Sequence, residues 1–210
     1  DGLGKELLIS VTSFFRDKEA FSLLRKTLEG LIERHADGEL RIWAPGCATG
    51  EEAYSIAIIC KEILRKRSQR LSLQLFATDI DSDALAVARR GLYPANALSD
   101  LPTELMRRYF TPRGTLLEVV KNLRDSLVFA RQDMSADPPF MRLDLISCRN
   151  VLIYMNPELQ AKVLATFHYA LRSNGLLFLD DRKMSVVARG CLRWWINAPA
   201  STNGNGAALR

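Results

Sequence analysis

The sequence predicts an α/β fold: a doubly wound, mostly parallel sheet with a small β element inserted in it. Three observations predict it. Short apolar runs alternate with segments of helical periodicity along most of the chain, which is the rhythm of a parallel sheet. One such run, Leu40-Arg41-Ile42-Trp43-Ala44-Pro45, feeds into Gly46-Cys47-Ala48-Thr49-Gly50-Glu51-Glu52 and then a helical pattern. That is a strand, a glycine turn and a helix, the unit that lets backbone approach a bound ligand. At 210 residues and 48% apolar, the chain has enough core for one domain.

Each element follows from its local pattern. Phe21, Leu24, Leu28, Leu31 and Ile32 recur at helical spacing over residues 17–35, and Asp37-Gly38 ends that helix. Strand one covers Leu40–Ala44, and a helix runs from Glu51 to Arg65 with Tyr54, Ile56, Ile58, Ile59 and Ile63 apolar. Leu71–Thr78 alternates before a fully apolar end and reads as strand two. Asp79-Ile80-Asp81-Ser82-Asp83 then opens a helix to Arg90, with Ser82 or Asp81 as its N-cap. Gly91-Leu92-Tyr93-Pro94 stops the rhythm. Within the insertion at 92–126, Pro102–Phe110 is a short helix, Thr111-Pro112-Arg113-Gly114 a turn and Thr115–Val120 a short strand. Strands resume at Leu127–Ala130 and Leu143–Cys148. A helix starts at Pro157, runs to Arg172 and is ended by Ser173-Asn174-Gly175, and Leu176–Leu179 is a further strand. After Asp181 the pattern fails. Met184–Ala188 and Cys191–Ile196 can pair as a hairpin, and Ala198–Arg210, small and polar, is expected to be disordered.

Composition narrows the function. A net charge of +5 is a weak pointer to acidic partners, and no clustered basic patch with interleaved aromatics marks a nucleic-acid surface. No apolar run is long enough to span a bilayer, and the start shows no signal peptide. The chain opens without Met, so a fragment or processed piece is expected. Cys47, Cys60, Cys148 and Cys191 lack metal-ligand spacing and sit in apolar segments, as expected of reduced thiols in a cytoplasmic protein. The two histidines, His35 and His168, both fall in helical patterns, which disfavours a nucleophile–histidine device.

Ligands of doubly wound sheets sit beyond the carboxyl ends of the strands. Four segments end there: the glycine turn, Asp79-Ile80-Asp81, Gln132-Asp133-Met134 and Ser147-Cys148-Arg149-Asn150. Each has an ordinary alternative. Glu51 and Glu52 can simply favour a helix N-terminus by about 0.3–1 kcal/mol, the aspartates can be caps, and Arg149-Asn150 can be a turn. All four on one edge point to a ligand. A dinucleotide site needs G-x-G-x-x-G to hold pyrophosphate at a helix N-terminus. Here G-x-x-x-G precedes two acids, which would repel phosphate. The pattern fits S-adenosylmethionine better than NAD, because that ligand offers ribose, adenine, ammonium and sulfonium.

Four blocks then resemble the CheR-type chemotaxis methyltransferases: Thr12-Ser13-Phe14-Phe15-Arg16, Gly46 to Ser55, Ala77-Thr78-Asp79-Ile80-Asp81, and Asp144 to Tyr154. The wording from Asp137 to Tyr154 looks most like versions fused to a methylesterase and sensor modules. The resemblance implies a Rossmann-like methyltransferase sheet and methyl transfer from S-adenosylmethionine to glutamate carboxylates of receptor-like signalling proteins. It implies cofactor contacts from Ser10 (often Asn in the family), Thr12 and Arg16, reaching over the ligand. Glu51 would face the methionine amino group, and Asp79 or Asp81 the ribose. Asp133 and Met134 would border adenine, where the family commonly has Asn-Leu. Arg149 and Asn150 would line the floor near the methyl group. No metal is implied, and no catalytic residue is singled out. The implied partners are an acidic, glutamate-bearing receptor segment and other modules of a fused chain, with no nucleic acid and no membrane insertion.

The expected division is an N-terminal segment and helix, 1–36; a cofactor-binding core, 37–181; and an atypical tail, 182–210, partly disordered, leaving the last strands of the sheet incomplete. The family's helical N-terminal subdomain is not matched before Thr12, and Asp180-Asp181-Arg182-Lys183 stands where the family continues Gly-x-Ser-Glu. The alternative function is a cofactor-binding regulatory module without turnover.

Overall fold

A computed structural model describes residues 12–35, 38–67, 71–179 and 185–188. Ser10, the expected strand at 191–196 and the expected disordered tail at 198–210 lie outside the described residues.

The chain begins with α1 (Lys18–Arg34), β1 (Gly38–Pro45), α2 (Glu51–Arg65), β2 (Leu71–Asp79) and α3 (Ser82–Arg90). The insertion holds β3 (Leu92–Pro94), α4 (Thr103–Tyr109), β4 (Phe110–Arg113), β5 (Leu116–Val119) and α5 (Lys121–Arg124). The main layer resumes with β6 (Leu127–Arg131), β7 (Leu143–Cys148), α6 (Pro157–Ala170), β8 (Leu171–Leu179) and β9 (Ser185–Ala188). The large sheet has the order β6-β2-β1-β7-β8-β9. Its pairings are parallel except β8 with β9. From β1 the chain steps outward through β2 to β6, then returns to β7 on the other side. The order therefore reverses between β1 and β7, and their carboxyl ends flank the crevice where such sheets bind ligands.

Period-two alternation sorts the core into two layers. Leu40, Ile42, Leu75, Ala77, Leu145 and Phe178 join the cluster with α1, α2 and the insertion. Trp43, Phe76, Ile146, Leu177 and Leu179 face the opposite side, against Val163, Leu164, Phe167 and Ala170 of α6. The caps follow from side-chain acceptors at helix starts. Asp17 accepts from Ala20 N–H, Asp81 from Asp83 and Ala84, and Asn156 from Leu159. Asp81, not Ser82, is thus the cap of α3.

Two sequence expectations need correction. The insertion has three strands, not one: a sheet of order β3-β5-β4. Both flanking strands are short and contain proline, which hides them from propensity. Ser173-Asn174-Gly175 does not end α6, which stops at Ala170; these residues lie within β8. Leu143 pairs with Leu171 but Leu145 pairs with Leu176, so the stretch between is pushed out of register. A Cβ on Gly175 would stand 2.9 Å from the Leu143 carbonyl oxygen, which is why glycine is needed there. The second strand of the expected hairpin, at 191–196, lies outside the described residues; the first is present as the 185–188 strand. That strand runs antiparallel along β8, Leu176 opposite Ala188 through Leu179 opposite Ser185.

The small sheet's edges are blunted. Val119 N–H bonds to Gly91 O, and Val120 N–H to Tyr109 O. Hydrogen-bonded pairs alternate in antiparallel strands, so Pro94 and Pro112 occupy outward-facing register positions. An incoming strand finds no N–H donor at either proline.

Candidate functional site

The glycine turn is shaped by close approach. Gly46 has φ +70° and Gly50 φ +95°, in the region that favours glycine. A Cβ on Gly46 would lie 2.5 Å from Val151 Cγ2, and one on Gly50 2.9 Å from Ala88 Cβ. The turn is tied to its neighbours. Cys47 N–H donates to Thr78 O at 3.0 Å, Ala48 N–H to Asp79 Oδ2 at 2.8 Å, and Tyr93 OH to Thr49 O at 2.6 Å. Burial pushes the Cys47 thiol up, so it stays protonated.

Asp79 ends β2, half-buried at the rim. Its second oxygen accepts from Asp81 N–H at 2.9 Å. A carboxylate has about four acceptor sites, so two bonds leave capacity on both oxygens. Asp81 is exposed and caps α3.

The paired glutamates diverge, because successive helical residues point about 100° apart. Glu51 is buried and turned onto Thr49, whose hydroxyl donates to it at 2.6 Å. Burial pushes its carboxyl above the ordinary range, against a smaller opposing pull from the Thr49 bond. Glu52 instead reaches β7. Ser147 OH donates to it at 2.6 Å, and Arg149 Nη1 lies 3.9 Å away. Glu52 and Ser147 were not among the sequence-predicted site residues. Only the adjacency of two acids hinted at Glu52.

Asn150 follows β7 with φ +56°, a left-handed conformation that Asn tolerates better than most residues. Arg149 is buried. Its guanidinium donates to Arg16 O at 3.0 Å and reaches Asp17 at 3.5 Å. Thr12 is half-buried and Arg16 exposed. Phe14 packs edge-on to Tyr93 and Phe110, and Phe15 N–H donates to the buried Ser55 hydroxyl at 3.0 Å. The Thr12–Arg16 block is therefore clamped over the start of α2. Asp133 accepts from both the hydroxyl and amide of Ser135, which hold its carboxyl below the usual range. Its side chain is committed to its own loop. Met134 packs against the α6-side core.

The β1–β7 crevice thus gathers the glycine turn, Glu52, Asp79, Ser147 and Asn150. Among the described residues no histidine joins them. His35 bonds Asp144 at the amino-terminal ends of the strands, and His168 lies in the last turn of α6. No group of three or more potential metal ligands occurs among the described residues either.

The family model described as CheR methyltransferase, SAM binding domain, matches residues 10–184. The chain belongs to the CheR methyltransferase family. An uncharacterized 104.1 kDa protein of Rhodobacter capsulatus is 42% identical over 186 residues, covering 88% of this chain and 20% of that protein. Chemotaxis protein methyltransferase 2 of Pseudomonas aeruginosa is 36% identical over 193 residues, 89% of this chain and 68% of its own length. The chemotaxis protein methyltransferase of Escherichia coli is 36% identical over 182 residues, 82% and 60%. The chain therefore spans a fifth of the Rhodobacter protein and roughly two thirds of these CheR enzymes.

S-adenosylmethionine is the cofactor of the matched CheR domain. The chemistry of the crevice fits it. Carboxylates with spare acceptor sites suit an ammonium and ribose hydroxyls, and acids beside the glycine turn disfavour a pyrophosphate. No described helix is long and apolar enough to cross a membrane.

Proposed function

We propose that this chain methylates glutamate side-chain carboxylates of chemoreceptor-like signalling proteins, forming methyl esters, with S-adenosylmethionine as donor. The observation that carries the reading is the convergence of the glycine turn, Glu52, Asp79 and Asn150 at the switch point of a CheR-family sheet. When bound, the cofactor supplies a methyl group made electrophilic by its sulfonium charge. Everything else falls to the chain's residues.

Asp79 holds the ribose, because its carboxylate lies at the rim with acceptor capacity, whereas Asp81 is occupied as a helix cap. Glu52 faces the amino group of the cofactor's methionine part. This moves the role from Glu51, which is turned onto Thr49. Met134 and the backbone at Asp133 border the adenine. Asn150 lies beside the reacting centre, and Thr12 and Arg16 form the roof. Arg16 is exposed, so its planar fork can meet a carboxylate bidentately.

A glutamate carboxylate with an ordinary pKa of ~4.3 is a nucleophile at neutral pH, so the chain need supply no general base. Its contribution is alignment and exclusion of water. Positioning two reactants supplies roughly 7–11 kcal/mol of such a barrier. The partner is an acidic, glutamate-bearing receptor segment in the cytoplasm. The fraction of the Rhodobacter protein matched, 20%, supports a setting beside further modules of a fused chain.

The test is incubation with methyl-labelled S-adenosylmethionine and a receptor segment rich in glutamates. The expected product is protein-bound label released as methanol by mild alkali. Tight binding of S-adenosylhomocysteine with no transfer to any receptor glutamate overturns the reading in favour of a regulatory module.

A further inference from the structure

The Thr12–Asp17 segment bends sharply twice. Phe15 has φ +53° and Asp17 φ +69°, left-handed conformations that non-glycine residues keep only when their surroundings hold them. Arg16 sits between these two bends. The holds are visible. Ser55 accepts the Phe15 N–H at 3.0 Å. On the other side, Arg149 donates to the Arg16 carbonyl at 3.0 Å and approaches the Asp17 carboxylate at 3.5 Å. The Arg149 side chain is 2% exposed. Its guanidinium lies 4.9 Å from the Phe178 ring centroid and 5.6 Å from that of Phe21. It therefore grips the backbone on the far side of Arg16 from Ser55, while its root, one residue past β7, adjoins Asn150.

We propose that Arg149 is a positioning residue. Its guanidinium holds the Arg16 carbonyl and the Asp17 carboxylate and lies 3.9 Å from Glu52. It hangs the roof segment from the end of β7, so that Arg16 is presented over the crevice at a fixed height relative to Glu52 and Asn150. Arginine suits the place because its planar fork reaches the Arg16 carbonyl and the Asp17 carboxylate together while lying against the edge-on pair of Phe21 and Phe178, whereas an ammonium is a point charge without that fork. The inference rests on the reading of Arg16 as part of the cofactor roof.

A double-mutant cycle on S-adenosylhomocysteine affinity, measured by calorimetry, tests it without requiring turnover. Arg16→Ala is expected to weaken binding about tenfold, and Arg149→Lys by a similar factor. In the Arg16→Ala background, Arg149→Lys should change affinity less than twofold, because the side chain it positions is gone. A full tenfold loss in that background overturns the positioning role while leaving the roof intact. An Arg16→Ala variant with unchanged affinity removes the roof reading itself, and the proposal with it. Should Arg149→Lys fail to fold, Asp17→Asn takes its place in the same cycle and is read by the same outcomes. It keeps the cap of α1 and weakens only the ion-paired end of the strut.

Discussion

Glu51 and Glu52 are neighbours that do different work, and so are Asp79 and Asp81. One member of each pair is spent on structure, holding Thr49 or capping α3, and the other faces the crevice. Calorimetry with two ligands separates them. Asp79→Ala should weaken both S-adenosylhomocysteine and adenosine by about 10- to 100-fold, the worth of a charge-assisted hydrogen bond. Glu52→Gln should weaken S-adenosylhomocysteine about tenfold and leave adenosine unchanged, because only the amino-acid end is lost. Asp81→Ala should cost ~1 kcal/mol of stability as a lost cap, with little change in affinity. For Glu51 the sign runs the other way. Its carboxyl is raised by burial, so the charged form costs stability above the ordinary carboxylate range and the cost fades as acid protonates it. Glu51→Gln should therefore leave neutral-pH stability unchanged or slightly higher. A large loss of affinity in Glu51→Gln with none in Glu52→Gln would reverse the assignment.

At the scale of elements, the insertion is fastened to α2 by one buried acid. Glu62 accepts from Arg108 of α4 at 2.6 Å, from Tyr109 OH at 2.8 Å and from Arg65 at 3.3 Å. Burial alone would raise its carboxyl, but these donors outweigh that and bring it down to about 2. A carboxyl depressed in the folded state stabilises it above the unfolded value and loses that contribution as pH falls through the folded one. Glu62→Gln should lower the melting temperature by several degrees at pH 7. The gap to the unsubstituted chain should narrow between about pH 5 and pH 2. A gap independent of pH would show that packing, not the ion pairs, docks the insertion. The same element shows what periodicity misses. The β3 and β4 strands are short and proline-bearing, and only their pairing with β5 makes them strands.

Across the whole molecule, site and stability anchor sit at opposite ends of the sheet. Buried Asp144 accepts from Arg41 N–H at 2.8 Å and from Arg172 at 2.9 Å, with the His35 ring nitrogen at 3.1 Å. It ties the end of α1 to β1, β7 and β8. Asp144→Ala should cost about 1–3 kcal/mol, since it leaves the Arg41 backbone donor without its partner and frees the partly exposed Arg172. The affinity of the folded fraction for S-adenosylhomocysteine should hold, because the crevice lies at the carboxyl ends. Denaturant unfolding and calorimetry on one sample check both halves. Lost affinity at unchanged stability would break this separation.

The sequence by itself determined the layer architecture, the order of the main elements and the edge that carries the site. Those depend on local period and on a glycine turn, and both are written in neighbouring residues. Only the tertiary structure decided the rest. It showed which acid of each close pair reaches the crevice, that Arg149 is buried beneath the roof segment, and that 185–188 runs along β8. Shifts of one or two residues turn a side chain to another face without disturbing hydrophobic periodicity. A contact such as Arg149 with Arg16, 133 positions apart, exists only once the sheet has brought the two ends of the chain together.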